Sequence, residues 1–546
     1  MKNKSAIAIR IAVVVGLFLI FLNAFLWNSK KEDYFLDEKY TFYFANEYVL
    51  SFGEFFSEIK ACDFQIDLLI QRLTERLMDK YKMMSLDEVN AMVDAQKGHK
   101  FSYCTTLLFT VEDSHPPLYY LTFNTVNSSI PGISVKNTGF LINIVALLFT
   151  CYFVFKIAEF FHGKLCGLMA MLFYGLSFEF INNVTYFRMY AMLTCFVTLL
   201  LYLHLRWLKA DFTYDEKKYL RAICVAEFFA MFTQFFAAIY IVPIFVVTLV
   251  LLRVNGKQIK KYVVSNVVTA VLYLVIWPVS IYQIMADESG ADVRNTVSLF
   301  NIPSRVAKYV RMAVDSLFAG SKKYFFAVAV VIAVGLLWIL IKLIKDKKVG
   351  EFLHGEKLNY YVYLIVPTAV FYVVTADIAP WTVDRYMMPI IAIVSALIVV
   401  FLWGSLKTFC RKEWICACIF IVLLGWSFYR VQGMSPYYLY TMTEEKQAYI
   451  DATEDKAAVI VEPDDQLEFA DVLLTVNHPY WSLITVSGLN DCLTSGINKS
   501  DSYVFYINKY CNEDEIKETI EKEGLTISKL DYEKEFYYVY VYEAKN

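Results

Sequence analysis

Eleven apolar runs constrain this chain more than any other feature. They fall near 7–27, 138–155, 165–182, 189–205, 221–236, 238–252, 263–284, 324–344, 359–376, 386–404 and 413–428. Such runs approach the roughly 20 residues a helix needs to cross a bilayer. The backbone polar groups are satisfied there only in a helix or a closed barrel. The stretch 222–252 is apolar throughout and too long for one straight crossing, so two helices meeting near Gln234 are expected. Of the 546 residues 58% are hydrophobic and 17% aromatic, more apolar surface than a soluble protein of this length needs. The formal net charge is -3, which offers no basic surface to nucleic acid.

Charge is sorted by loop. One set of loops carries Arg206, Lys209, Lys217, Lys218 and Arg221; Arg253, Lys257, Lys260 and Lys261; Lys345, Lys347, Lys348 and Lys357; and Lys407, Arg411 and Lys412. Taken as cytoplasmic, these loops follow the positive-inside pattern and put the N-terminus inside. Lys2, Lys4 and Arg10 precede the first run, and Asn28-Ser29-Lys30-Lys31 follows it without a small-residue cleavage site, so an uncleaved anchor is expected. The opposite face then receives the 28–137 loop, the turn before Arg188, the 285–323 loop, the turn before Arg385 and everything after Arg430. The expected domains are a membrane domain over 1–430, with 28–137 as its large outer loop, and an extracytoplasmic domain over 431–546.

The 28–137 loop carries its own helical pattern. Ile66, Leu69, Leu73 and Leu77 recur on one face of 63–81, an amphipathic helix suited to a membrane surface or to packing on the ends of the spans. Ser85-Leu86-Asp87-Glu88 reads as a capping box. In the tail, 457–461, 502–506 and 536–542 read as strands and 513–523 as a helix ending at Gly524, a small α/β arrangement. There are eleven cysteines. Cys62 with Cys104, and Cys492 with Cys511, share regions where an oxidising compartment would permit disulfides, though spacing alone does not decide.

The polar residues that stand against this apolar background lie next to the spans: Asp37, Glu38, Asp113, His115, Arg188 and Arg385. Pro116 and Pro117 stiffen the chain that presents Asp113 and His115. Each has a plain structural reading. Asp37 and Glu38 can be a solvated pair, Asp113 a turn residue, His115 a hydrogen-bonded histidine, and the arginines snorkelling side chains. Gathered on one face, they suit an anionic substrate, with arginines on a departing phosphate and a carboxylate as base. In the 285–323 loop, Arg294, Arg305, Lys308 and Arg311 suggest a lid over a donor head group or an amphipathic surface helix at 303–317.

Four stretches resemble motifs of the bacterial relatives of protein O-mannosyltransferases and lipid A aminoarabinose transferases. They are Leu36-Asp37-Glu38-Lys39-Tyr40, Asp113-Ser114-His115-Pro116-Pro117-Leu118-Tyr119-Tyr120, Phe187-Arg188-Met189-Tyr190-Ala191 and Asp384-Arg385-Tyr386-Met387-Met388-Pro389. The resemblance covers residues 1 to about 430; the tail matches no pattern. It implies a GT-C fold: an α-helical polytopic membrane protein of about 11 transmembrane helices, here with a small C-terminal extracytoplasmic α/β domain. It further implies a glycosyltransferase of the cytoplasmic membrane. The partners would be a polyprenyl-phosphate-linked sugar, an extracytoplasmic acceptor and membrane lipids. Carried onto this sequence, Asp37 and Asp113 become catalytic. Glu38, His115, Tyr119, Arg188, Tyr190, Arg385 and Tyr386 become substrate-binding. A divalent cation is a further option, with Glu38 and His115 as ligands. The alternative is a transporter or polymerase of lipid-linked envelope polysaccharide.

Overall fold

The computed structural model describes residues 2–63, 65–95, 99–213, 217–285, 301–353, 355–410, 412–464, 469–498, 500–532 and 534–544. The chain forms two compact units that interleave in sequence. The first comprises Met1–Ser29, Thr110–Tyr119 and Gly139–Leu439, and the second Lys30–Phe109, Tyr120–Thr138 and Tyr440–Asn546.

The first unit is helical. Among the described residues, eight helices are long and apolar enough to cross a membrane: Ile7–Ser29 and Val135–His162, then Tyr190–Lys209, Ala237–Val254, Lys322–Lys345, Lys357–Ile378, Met388–Phe409 and Glu413–Val431. Two further pairs qualify only when joined across a bend. Lys164–Gly175 turns by 56° into Phe178–Thr185, and Lys260–Ile276 by 90° into Val279–Met285. Ser177 caps the helix after the first bend by accepting from Phe180 N. Pro278 stands in the second, where its ring and missing N–H stop the helix. The expected straight span 263–284 is thus corrected: it ends at Ile276 and resumes at nearly a right angle. The expected break near Gln234 is present, between helices Lys217–Thr233 and Ala237–Val254. The first of these has 17 residues.

Two helices form the scaffold at one end of this unit. Tyr190–Lys209 and Met388–Phe409 pack against one another, and Thr194 Oγ1 donates to Met388 O (3.3 Å) where their N-terminal ends meet. Of the loop read as a lid or an amphipathic surface helix, Arg294 lies outside the described residues. Arg305 is buried in helix Ile302–Leu317 and donates to the carbonyls of Asp377 and Ala379, which makes it a staple between helices.

The second unit is built on one six-stranded sheet, order β1-β3-β2-β4-β6-β5, with β1 Met84–Ser85, β2 Ala457–Glu462, β3 Tyr480–Thr485, β4 Tyr503–Asn508, β5 Ile527–Lys529 and β6 Tyr537–Tyr542. The central strands β3, β2 and β4 run parallel, and β6 pairs antiparallel with β4 and β5. Helix Glu513–Lys522 lays Ile516 and Ile520 on the sheet beside Val459, Phe505 and Tyr540. The strand β1 comes from the long loop near the N-terminus and pairs Met84 with Trp481. Helix Ile66–Tyr81 buries Leu69 and Leu73 against Val49, Leu50, Ile59, Cys62 and Cys104. Leu69, Leu73 and Leu77 of its apolar face therefore pack inside the unit rather than on a membrane surface. All eleven cysteines are free thiols, so the question left open for Cys62 with Cys104 and Cys492 with Cys511 is answered without a disulfide in either pair.

Lysines hold the centre of this unit. Lys39 and Lys534 both donate to Asp471 O and Thr475 Oγ1, at 2.7–3.1 Å. Asp33 pairs with Lys446 (2.9 Å) and Lys39 (3.8 Å). Burial first, then the charge of Lys39, pulls Lys534 down to about 7. Burial alone would raise Asp33, but Lys39, Lys534 and Lys446 outweigh it and hold the carboxyl below its usual range.

Candidate functional site

In the first unit, the sequence-predicted polar residues sit at breaks in the helical backbone. Asp113-Ser114-His115 forms the bend between helices Tyr103–Glu112 and Leu118–Ser129. Asp113 Oδ1 accepts from Ser114 N (2.8 Å) and lies 3.1 Å from His115 Nδ1. Pro116 and Pro117 follow and lead into the next helix, where a fixed φ is favourable. The bend is anchored by Gln283, on the short helix beyond the 90° turn. Its Nε2 donates to the carbonyls of Asp113 and Thr110, and its Oε1 accepts from Trp277 Nε1 (3.1 Å).

Arg188 occupies the break between helices Phe178–Thr185 and Tyr190–Lys209, and one terminal nitrogen lies 3.5 Å from His115 Nδ1. The break is compact because Gly139 lets the Phe187 ring close on its helix; a Cβ there would lie 2.4 Å from Phe187 Cγ. Asn143 satisfies the exposed backbone of the same break, donating to Tyr186 O (2.6 Å) and Asn183 O (3.3 Å). Tyr119 in turn donates to Asn143 Oδ1 (3.2 Å) and is fully buried, so it supports the break.

Arg385 lies in the short 3-10 turn Asp384–Tyr386 that opens helix Met388–Phe409. Its Nη1 donates to the hydroxyl of Tyr186 (3.2 Å), two residues before Arg188. Tyr386 and Tyr190 are buried, the first against Phe236 and the second stacked on Tyr186 at 5.6 Å. Two arginines thus stand at the N-terminal ends of two packed helices, Arg385 donating to the Tyr186 hydroxyl and Arg188 beside His115. The helix dipoles there add positive potential, so this end of the unit favours an anion. Asp113 and His115, with side chains 13% and 18% exposed, are the groups beside it that could receive or orient a proton.

Asp37 and Glu38 lie in the second unit, on the first turn of helix Leu36–Asn46. Glu38 is fully buried and accepts from Lys31 Nζ (3.0 Å) and Phe35 N (2.7 Å), so it caps this helix and neutralises a buried lysine. Burial pulls Lys31 below the ordinary ammonium value despite Glu38. Asp37 is half-buried. For the divalent cation, Glu38 already holds Lys31, and among the described residues no group of three or more His, Cys, Asp or Glu side chains is placed to hold a metal ion. This donor set does not fit a cation.

Sequence reasoning passed over Tyr186, Asn143 and Gln283. Tyr186 stands two residues before the arginine of a motif, and that proximity was the available signal. Asn143 and Gln283 lie inside apolar runs, where a polar side chain signals a partner.

No protein-family model and no curated protein sequence matches the chain. Among solved structures it is similar to ArnT from Cupriavidus metallidurans, crystallised bound to undecaprenyl phosphate and in the apo state. Both give a TM-score of 0.47 at 10% identity, over 78% of this chain and 88% and 87% of those. It is also similar to the archaeal oligosaccharyltransferase AglB from Archaeoglobus fulgidus, in complex with an inhibitory peptide and a dolichol-phosphate. That match has a TM-score of 0.38 at 10% identity, over 72% of this chain and 61% of that one.

Proposed function

We propose that this chain is a multi-pass membrane glycosyltransferase of the GT-C class. It moves a sugar from a polyprenyl-phosphate donor to an acceptor outside the cytoplasmic membrane. The observation that supports this reading most is the placement of Arg188 and Arg385 at the N-terminal ends of two packed helices, Arg385 on the Tyr186 hydroxyl and Arg188 beside His115. In the reaction, an acceptor hydroxyl or amine attacks the anomeric carbon. The bond from that carbon to the phosphate oxygen breaks, and the electron pair leaves on the polyprenyl phosphate. The two arginines stabilise the charge that grows there. Phosphate is a stable leaving anion, so no general acid is required. Asp37 takes the acceptor proton, and a single displacement inverts the anomeric centre. Asp113 and His115 orient acceptor or donor, with Gln283 fixing their bend.

The test is sugar transfer from defined polyprenyl-phosphate donors by the purified full chain, compared with Asp37→Asn and Arg188→Gln. Both variants are expected to fall by at least about 10²-fold in turnover, the usual effect of removing a charge-stabilising or proton-accepting group. Wild-type turnover by folded Asp37→Asn overturns the assigned base. Transport of lipid-linked glycan into acceptor-free vesicles, without transfer, would favour a carrier.

A further inference from the structure

The segment that follows the last span returns to the arginine end of the first unit. Tyr437 donates its backbone N–H to Asn182 Oδ1 (2.8 Å), and Tyr438 donates its hydroxyl to Asp384 Oδ1 (2.7 Å). The ring of Tyr438 lies on the ring of Tyr186, with centroids 3.9 Å apart and planes 14° apart. Tyr186 also stacks with Tyr190 and receives the hydrogen bond of Arg385. A closed circuit results: Asp384 to Tyr438 by hydrogen bond, Tyr438 to Tyr186 by stacking, Tyr186 to Arg385 by hydrogen bond, and Arg385 back to Asp384 through the peptide bond. Arginine has a long side chain with many rotamers, and holding it in one geometry costs side-chain entropy. A stacked pair of rigid rings lowers that cost before a ligand arrives.

We propose that Tyr438 and Asp384 are positioning residues that set Arg385, through Tyr186, for the phosphate of the lipid carrier. This rests on the reading of Arg385 as a phosphate clamp. The short segment after the last span thereby completes the phosphate site, from a position about 250 residues beyond Tyr186.

The experiment measures the affinity of the full chain in lipid nanodiscs for undecaprenyl phosphate. The variants are Tyr438→Phe, Tyr438→Ala, Asp384→Asn and Arg385→Gln, plus the double variant Tyr438→Ala with Arg385→Gln, each checked by thermal unfolding. Tyr438→Phe keeps the stack and removes one hydrogen bond, so a loss of about fivefold is expected, and the same for Asp384→Asn. Tyr438→Ala removes both and should lose more. In the Arg385→Gln background it should add almost nothing, because both changes act on one guanidinium. Equal losses from Tyr438→Ala in both backgrounds, or no loss from either Tyr438 variant while Arg385→Gln binds weakly, overturns the inference alone. Unchanged binding by Arg385→Gln overturns the phosphate-clamp reading and the inference with it. Tyr438→Phe serves where Tyr438→Ala does not fold.

Discussion

The two units use their cations in opposite ways. In the second, Lys31, Lys39, Lys446 and Lys534 are turned inward and engaged by Glu38, Asp33, Asp471 O and Thr475. In the first, Arg188 and Arg385 stand at backbone breaks, with hydrogen bonds to a histidine ring and a tyrosine hydroxyl. A lysine closed over its own carboxylate is part of the architecture. An arginine at the start of a helix brings its planar donor fork to an end of positive helix potential. The contrast also divides the motif Leu36-Asp37-Glu38-Lys39-Tyr40: Glu38 and Lys39 are internal supports, and Asp37 is the half-buried member to which the proposed chemistry falls.

Substitutions can break this contrast. The largest effect is expected from Glu38→Gln, which leaves Lys31 buried without its carboxylate. Removing one partner of a buried pair costs about 3–5 kcal/mol, and Lys31→Met with Glu38→Leu should recover most of it. Chemical unfolding of the full chain in detergent measures this. Full stability with lost transfer would instead place Glu38 in the chemistry.

Next comes Gly139→Ala. A Cβ 2.4 Å from Phe187 must push the ring and, with it, the break that carries Arg188. Overpacking of this kind costs about 1–3 kcal/mol. Sugar transfer should fall more than stability predicts, and an unchanged rate would show that Arg188 does not depend on this contact.

Lys534 gives a pH signature. Its value of about 7 lies below the ordinary 10.5, so the unfolded chain binds more protons between those limits. Its contribution to stability is therefore complete above about 10.5 and is lost as pH falls through about 7, with a slope of at most about 1.4 kcal/mol per pH unit. Lys534→Met should flatten that slope in thermal unfolding followed from about pH 7 to 10; an unchanged slope would assign it to another group. The smallest effect belongs to Arg72→Ala. Its pair with Glu58 is 56% and 31% exposed, and such pairs contribute at most about 1 kcal/mol. A larger loss in the same unfolding assay would mean that the surface of this unit carries more of its stability than the buried lysines suggest.

The reach of each signal decided how much the sequence disclosed. Spans were legible because a hydrophobic run is its own evidence, and the break at Gln234 because a single crossing could not hold the stretch. The right-angle turn at Trp277-Pro278 was not, since a proline inside an apolar run can also sit in a kinked helix. Strand β1 has two residues and owes its existence to Trp481, almost 400 positions away. The arginines announced themselves through their motifs. Tyr438 gave no local sign, because its meaning lies in a ring that belongs to another break.

The interleaving of the second unit has a consequence for how the chain is made. Its sheet takes β1 from an early loop and β2 to β6 from the last stretch of the chain. Lys39 likewise waits for Asp471 and Thr475. Until the tail is synthesised, the early loop has neither the strand it pairs with nor the carbonyl its lysine needs. The nascent protein must hold that half-finished loop against misassembly while the spans between are threaded. Arrival of the last strand, β6, between β4 and β5 then closes the sheet, so a chain cut short of its end would carry an early loop with no partner to fold upon.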